Sequence, residues 1–305
     1  MPSVNLEFSP SAMIALNAII ALMMFGVSLE LRAGDFSRIL RAPKAPVIGM
    51  LVQFVLLPAA TCGLTLLLPI DPQLALGMIL VATCPSGTFS NIMTWLARGN
   101  VAVSASVTAV SSLTAGILTP LNFALYAGLN PNTRALLTEI HVEPLDLLAM
   151  VVLVLILPML AGMALGKRRP LIARKLEKPL RHFSLLVLLA FVGGAFVKNF
   201  DQFIEHFHLF FWLVVTLNAL ALGLGYLCAK LWRLNDADVR AVTLESGIHN
   251  SGLGMALIFT FFPQAGGMLL IAAFWGCWQL LAGLALALLW ARREPAGAVA
   301  TEVAQ

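Results

Sequence analysis

The sequence predicts an all-α membrane protein of nine transmembrane helices, arranged as an inverted repeat. Three observations predict it: the composition, the length of the charge-free runs, and two polar interruptions at corresponding places. Of 305 residues, 60% are hydrophobic and 11% charged, with mean hydropathy +0.91. A soluble domain is roughly 45–50% apolar and about 25% charged. Nineteen basic and fifteen acidic residues are too few to clothe a soluble core of this size. An ordinary soluble enzyme and a disordered chain are both excluded.

A helix needs about 20 apolar residues to cross the bilayer core. Runs of that kind lie near 9–29, 45–69, 72–97, 99–128, 147–166, 182–197, 207–229, 237–262 and 265–291. The first follows Met1–Pro10, which holds no Lys or Arg, and no small-residue cleavage site ends it. It therefore reads as a span and not as a signal peptide. The fourth is expected to end near Gly128, before Asn130–Pro131. The stretch 246–291 is too long for one helix, and Pro263 with Gly266–Gly267 supplies its turn. The runs are continuously apolar, which argues against the period-two pattern of a membrane β-barrel. The polar segment 294–305 is expected to be a disordered tail.

Charge placement orients the chain. Seventeen of the nineteen basic residues fall in alternate loops, and only Arg134 and Lys198 fall on the other side. Basic loops stay cytoplasmic, so the amino terminus is expected outside and the carboxyl terminus inside, in the cell inner (plasma) membrane. The net charge of +4 is then topological, and nucleic acid is not an expected partner. The four cysteines, Cys62, Cys84, Cys228 and Cys277, sit in apolar segments with neither zinc nor disulfide spacing. They read as small buried hydrophobes.

Two spans carry polar interruptions. The third contains CPSGTFSN (84–91) and the eighth ESGIHNSG (245–252). Pro85 removes a backbone donor, and Gly87 and Gly247 weaken the helix locally. Irregular backbone at membrane depth survives only where protein or water satisfies it. The two spans lie five apart, so they run in opposite directions. Paired broken helices in opposed halves point to an inverted-repeat secondary transporter. Close packing at two unrelated Ser-Gly pairs is the plainer reading of the same residues. Four spans precede the fifth and five make up the second half, so the first repeat lacks its leading helix.

Glu245 is the one acid well inside a span. It stands about two turns beyond Asp238, roughly 10 Å along the helix axis. A carboxylate there is costly without a partner. No Lys or Arg lies at that depth, so a bound cation or a proton is its expected counter-charge. Ser104 and Thr108, one turn apart on one face, and Gln53 are candidate oxygen ligands. New half-helices are expected to begin near Asn91 and Asn250, and their free N–H groups suit an anion. No HExxH motif or nucleophile–base spacing marks an enzyme.

The segments CPSGTFSNIMTWLARGNVAVSASVT and TLESGIHNSGL resemble the signature segments of the bile acid:sodium symporter family, and the likeness covers nearly the whole chain. The resemblance implies a panel domain and a core domain, with the two broken helices crossing at mid-membrane in the core. The panel is placed at 9–29, 45–69, 147–166 and 182–197. The core is placed at 72–97, 99–128, 207–229, 237–262 and 265–291. The form is the nine-helix version that lacks the first helix.

The resemblance implies one sodium held by Ser90, Asn91, Ser104, Thr108 and Glu245, all present. It implies a second at Gln53, Glu245, the carbonyls of Ser246 and Ile248, and a glutamine where this chain has His249. A neutral imidazole is a poor sodium ligand, so one firm site is expected. With an unperturbed pKa near ~6.5, His249 reads either as a pH-sensitive element or as a hydrogen-bond partner of Glu245. The implied substrate set is Thr88, Asn91, Asn250, Ser251 and Gln279. Gln279 and Leu280 stand where a bile-acid-binding bacterial member has histidine and asparagine, so small carboxylates such as pantoate-like acids join bile acids as candidates. The expected activity is sodium-coupled symport of an organic anion by a monomer in the lipid bilayer. A proton-coupled or uncoupled exporter on the same fold is the alternative.

Overall fold

The computed structural model describes residues 42–139, 152–176, 200–262 and 264–295, with isolated positions between 18 and 29 and between 179 and 186. The expected spans near 9–29 and 182–197, the start of the one near 147–166, and the tail beyond 295 lie outside the described residues. Every described element is helical apart from one isolated backbone bridge. The helices are α1 (Lys44–Leu67), α2 (Pro72–Thr83), α3 (Thr88–Leu96), α4 (Val101–Leu129), α5 (Pro131–Glu139), α6 (Leu157–Arg168), α7 (Phe200–Leu231), α8 (Asp236–Gly247), α9 (Ser251–Phe261) and α10 (Gly266–Ala291).

Four of them, α1, α4, Phe210–Leu231 within α7, and α10, are long and apolar enough to cross a membrane. The 29 residues of α4 extend ~43 Å at the usual rise, more than the ~30 Å bilayer core. By contrast the 12 residues of α2 and the 11 of α9 reach only ~16–18 Å. The third and eighth runs are therefore each two short helices joined by an extended break.

Local chemistry sets these boundaries. Asp71 caps α2, accepting from the N–H groups of Gln73 and Leu74, and Pro72 opens the helix where its missing donor costs nothing. Cys84 ends it in extended backbone, φ −70° and ψ 149°, as a residue before proline must. Before α10, Ala265 N–H turns back to Phe262 O at 2.9 Å, and Pro263, expected in this turn, lies outside the described residues. Gly266 and Gly267 open the helix instead of forming the turn, and Gln73 Oε1 accepts the Gly267 N–H at 3.0 Å. Thus α4 ends at Leu129, and Pro131 starts the short α5.

α1 carries a wide π-turn at Val52–Leu56, just before Pro58. Proline cannot donate to the carbonyl four residues earlier, which is that of Phe54. Asn122 donates to that carbonyl at 2.8 Å, and Tyr126, one turn on, donates to Val55 O at 3.3 Å. The kink in α1 is thus sealed by α4.

In lipid, helices associate by close packing and interhelical hydrogen bonds more than by water exclusion. α2 is buried from Leu74 to Thr83 and lies against α10, where a Cβ on Gly77 would come within 2.9 Å of Met268 Cα. α7 meets α8 as closely, since a Cβ on Gly225 would sit 2.8 Å from Ser246 Cβ. Around these contacts pack Met78, Phe210, Leu217, Phe259 and Trp275. On the outward side of α10, Leu281, Leu284 and Leu288 form a stripe suited to lipid tails. The four cysteines are free; Cys62 and Cys84 are buried as expected, while Cys277 faces outward.

One end of the bundle is tied by Arg240, which the loop pattern alone would leave in water. Its side chain is only 6% exposed. It donates to Ala97 O at 2.6 Å, Trp290 O at 3.2 Å and Arg293 O at 2.9 Å, joining the carboxyl ends of α3 and α10 to α8. A cation suits those carbonyl-rich ends.

Candidate functional site

The two breaks meet. Gly87 N–H donates to Ile248 O at 3.1 Å and Asn250 N–H to Pro85 O at 2.7 Å, an antiparallel bridge with Ser86 opposite His249. Each break so satisfies the backbone groups that the other leaves free, as membrane depth demands. Side chains complete the task. Thr119 donates to Thr83 O at 2.8 Å, Gln53 to Cys84 O at 3.3 Å, and Asn218 to Gly247 O at 2.8 Å. Ser86 and Ser111 hydroxyls lie 3.1 Å apart. Sequence reading missed Asn218, although an asparagine inside the apolar run 207–229 was the same kind of signal that singled out Gln53.

Beside the crossing, Glu245 is 1% exposed. Its Oε1 accepts from Ser90 and Ser104 hydroxyls at 2.5 Å each, and Thr108 Oγ1 lies 3.1 Å from Oε1 and 3.0 Å from Oε2. Asn91 Oδ1 joins them, 2.8 Å from Ser104 Oγ and 3.5 Å from Thr108 Oγ1. All five residues of the first expected sodium set are therefore within one cluster. Ser90 and Asn91 come from α3, Ser104 and Thr108 from adjacent turns of α4, and Glu245 from the last turn of α8. α3 begins at Thr88, three residues before the expected start, because Pro85 forces the break early and Gly87 serves as its N-cap. Asn91 thus belongs to the first turn and turns its oxygen into the cluster.

The cluster has more acceptors than protons. Each hydroxyl carries one hydrogen. Ser90 faces both Gly87 O at 2.6 Å and the carboxylate, Ser104 faces Asn91 and the carboxylate, and Thr108 faces both as well. Whichever way the hydroxyls turn, some oxygens face each other with no hydrogen between them. Hard oxygens gathered this way, with one negative charge and no Lys or Arg among them, can hold an alkali cation or one added proton.

The second expected set is arranged differently. His249, 2% exposed, does not hydrogen-bond Glu245. Its Nδ1 lies 3.0 Å from Val81 O. A carbonyl only accepts, so Nδ1–H donates there in the neutral ring, and Nε2 makes no hydrogen bond of its own. Gln53 Oε1 is buried and unpartnered too. Ser246 Oγ is turned back to Val242 O at 2.8 Å, and Ile248 O already accepts from Gly87. Trp275 lies against the imidazole, ring centroids 5.6 Å apart and planes tilted by 32°.

Of the expected substrate residues, Thr88, Asn91, Asn250 and Ser251 are half-buried near the crossing. α3 begins with no side-chain cap; Ser90 N–H turns back to Gly87 O at 3.0 Å, which leaves the N–H groups of Thr88 and Phe89 at the helix start. Asn250 instead caps its own half-helix, accepting from Leu253 N–H at 3.1 Å. Gln279 is buried, and its carboxamide bonds the backbone of His249 on both sides, N–H at 2.8 Å and C=O at 3.0 Å.

Two interrupted helices that meet beside a buried carboxylate have the form of a multi-pass membrane transporter. The family follows from comparison with known proteins. A family model described as Sodium Bile acid symporter family matches residues 17–206. The chain is 32% identical over 274 residues to the "Uncharacterized sodium-dependent transporter YocS" of Bacillus subtilis, covering 90% of this chain and 82% of that one. It is 30% identical over 276 residues to the "Probable sodium/metabolite cotransporter BASS1, chloroplastic" of Arabidopsis thaliana, covering 90% of this chain and 66% of that one. It is 26% identical over 253 residues to the human ileal sodium/bile acid cotransporter, covering 82% and 70%. This chain belongs to the sodium bile acid symporter family.

Proposed function

We propose that this chain is a sodium-coupled symporter that carries an organic anion by alternating access. One observation carries the reading: Glu245 lies in a proton-poor cage of hydroxyl and amide oxygens, a setting in which a cation completes the site. Ser90, Asn91, Ser104, Thr108 and Glu245 hold the sodium ion. The second position, at Gln53, Glu245, Ser246, Ile248 and His249, is occupied weakly or not at all, because His249 offers one bare nitrogen where an amide oxygen would serve.

The anion sits beside the crossing, at Thr88, Asn91, Asn250 and Ser251, where the uncapped start of α3 points its N–H groups and positive dipole end. Cation and anion then favour each other directly, which couples the two fluxes. Bile-acid-like molecules and small carboxylates are the substrate classes. The chain works as a nine-helix monomer in the inner membrane, amino terminus outside. The panel comprises 9–29, 147–166 and 182–197. α1, placed in the panel by the resemblance, is assigned to the core in this proposal, since Gln53 and the sealed kink bind it to α2 and α4.

The experiment is a sodium titration of the melting temperature, with and without a panel of organic acids, and choline as control; a ligand of the native state raises apparent stability. Sodium-specific stabilisation, lost in Glu245→Ala, is the expected result. The same cluster is satisfied by a protonated Glu245, which is the proton-coupled alternative. Uptake that persists when choline replaces sodium and follows an imposed pH gradient would select it.

A further inference from the structure

We propose that Gln279 is a positioning residue that acts as a one-residue edge strand for the second break. The proposal rests on the site reading above only for its sodium readout. In extended backbone, the N–H and C=O of one residue point to the same side, and those of its two neighbours to the other. Ile248 is extended, φ −122° and ψ 99°. On one side of the break, Ile248 O and Asn250 N–H bond the first break. On the other, His249 N–H donates to Gln279 Oε1 at 2.8 Å and Gln279 Nε2 donates to His249 O at 3.0 Å.

A primary carboxamide is the side-chain head that offers one acceptor and NH₂ donors side by side. It matches the two groups of a single peptide-flanked residue, as a neighbouring strand would. The second Nε2 hydrogen faces Ser251 Oγ at 3.4 Å. Gln279 is buried, so no water takes over if the amide is lost: His249 N–H goes unsatisfied, and His249 O keeps only the Ser251 N–H at 3.0 Å. The break connects Glu245, three residues before it, with Asn250, which caps α9. Holding His249 from α10 therefore fixes where the carboxylate and the second half-helix start stand relative to each other, without Gln279 touching the ion.

The test compares wild type, Gln279→Leu and Gln279→Glu of the full chain in detergent. Gln279→Glu keeps the acceptor for His249 N–H and loses the donor to His249 O, so it serves if the leucine variant does not fold. Hydrogen–deuterium exchange is followed at 247–251 and, as reference, in α2 and α4. Melting is followed against NaCl, with choline chloride as control. Expected is exchange at 247–251 faster by on the order of tenfold in Gln279→Leu, with reference amides unchanged. In Gln279→Glu the C=O side loosens while the His249 amide stays protected. Melting without sodium falls in Gln279→Leu, because His249 N–H is left unpaired, and the half-saturating sodium concentration rises about tenfold as well. Unchanged exchange at 247–251 in the variant that folds would overturn the proposal, as would uniformly faster exchange across the bundle. If wild type shows no sodium response at all, the symport reading fails, and the exchange result still decides the role of Gln279.

Discussion

The two breaks look alike in sequence and are built by different means. The first is made by its own residues: Pro85 forbids the helix before it, and Gly87 opens α3 with no side-chain cap. Thr119 and Gln53 only add outside hydrogen bonds to the first, at Thr83 O and Cys84 O, whereas the second contains no proline and relies on such bonds, from Asn218 to Gly247 O and from Gln279 to both backbone groups of His249. The first break and its neighbour α4 contribute only neutral oxygens to the cluster, while the second contributes its one charge, Glu245. Similar topology has been filled with unlike chemistry: a stiff half that offers ligands, and a held half that carries the carboxylate.

That contrast can be broken where it is strongest. Glu245→Ala removes the charge from the second half and leaves the first half's oxygens in place. Sodium-stimulated uptake of a labelled bile acid or small carboxylate in proteoliposomes is expected to fall to the choline background, while the protein still elutes as a folded species. Residual sodium stimulation would mean that the neutral half binds the ion alone.

Weakening the neutral half should cost less. Ser104→Ala, which deletes one hydroxyl within 2.5 Å of Glu245 Oε1, is expected to raise the half-saturating sodium concentration about tenfold, or about 1.4 kcal/mol. Equal loss in Ser104→Ala and Glu245→Ala would erase the distinction between ligand and charge. Asn218→Leu tests the external hold on the second break. It leaves the buried Gly247 carbonyl unpaired, and a stability loss of about 1–3 kcal/mol is expected in denaturant-induced unfolding. A loss under 0.5 kcal/mol would show that the break stands unaided.

His249→Gln should be the mildest change in stability and the most informative in stoichiometry. Wild-type uptake against sodium is expected to give a Hill coefficient near 1. The amide oxygen restored in the variant should bring it toward 2. A wild-type value near 2 would show that the second position holds sodium despite the imidazole.

Much of this was legible in the chain. The polar strings at 84–91 and 245–252, the solitary depth of Glu245, and the one-turn spacing of Ser104 and Thr108 report local facts that the fold preserves. Offsets of a few residues came from competing local chemistry. Asn91 was expected at a helix start, but the residue before Pro85 sets the break and moves that start to Thr88. Gly266 and Gly267 were expected in a turn, but Gln73 captures Gly267 N–H and draws both into α10. What stayed hidden was contact at long range in sequence. No spacing says that His249 turns to Val81 and away from Glu245, or that Gln279 spends its amide on backbone. Those partners are fixed by which helices touch.

Arg240 has a consequence for how this sequence can drift through evolution. Its guanidinium grips the carbonyls of residues 97, 290 and 293, and every amino acid carries a carbonyl. The grip itself therefore makes no demand on the side chains at 97, 290 and 293, whereas it does demand the planar, many-donor fork of arginine at 240. As far as this joint is concerned, the burden at this end of the bundle rests on one side chain, and its three partners serve through backbone that any residue would supply.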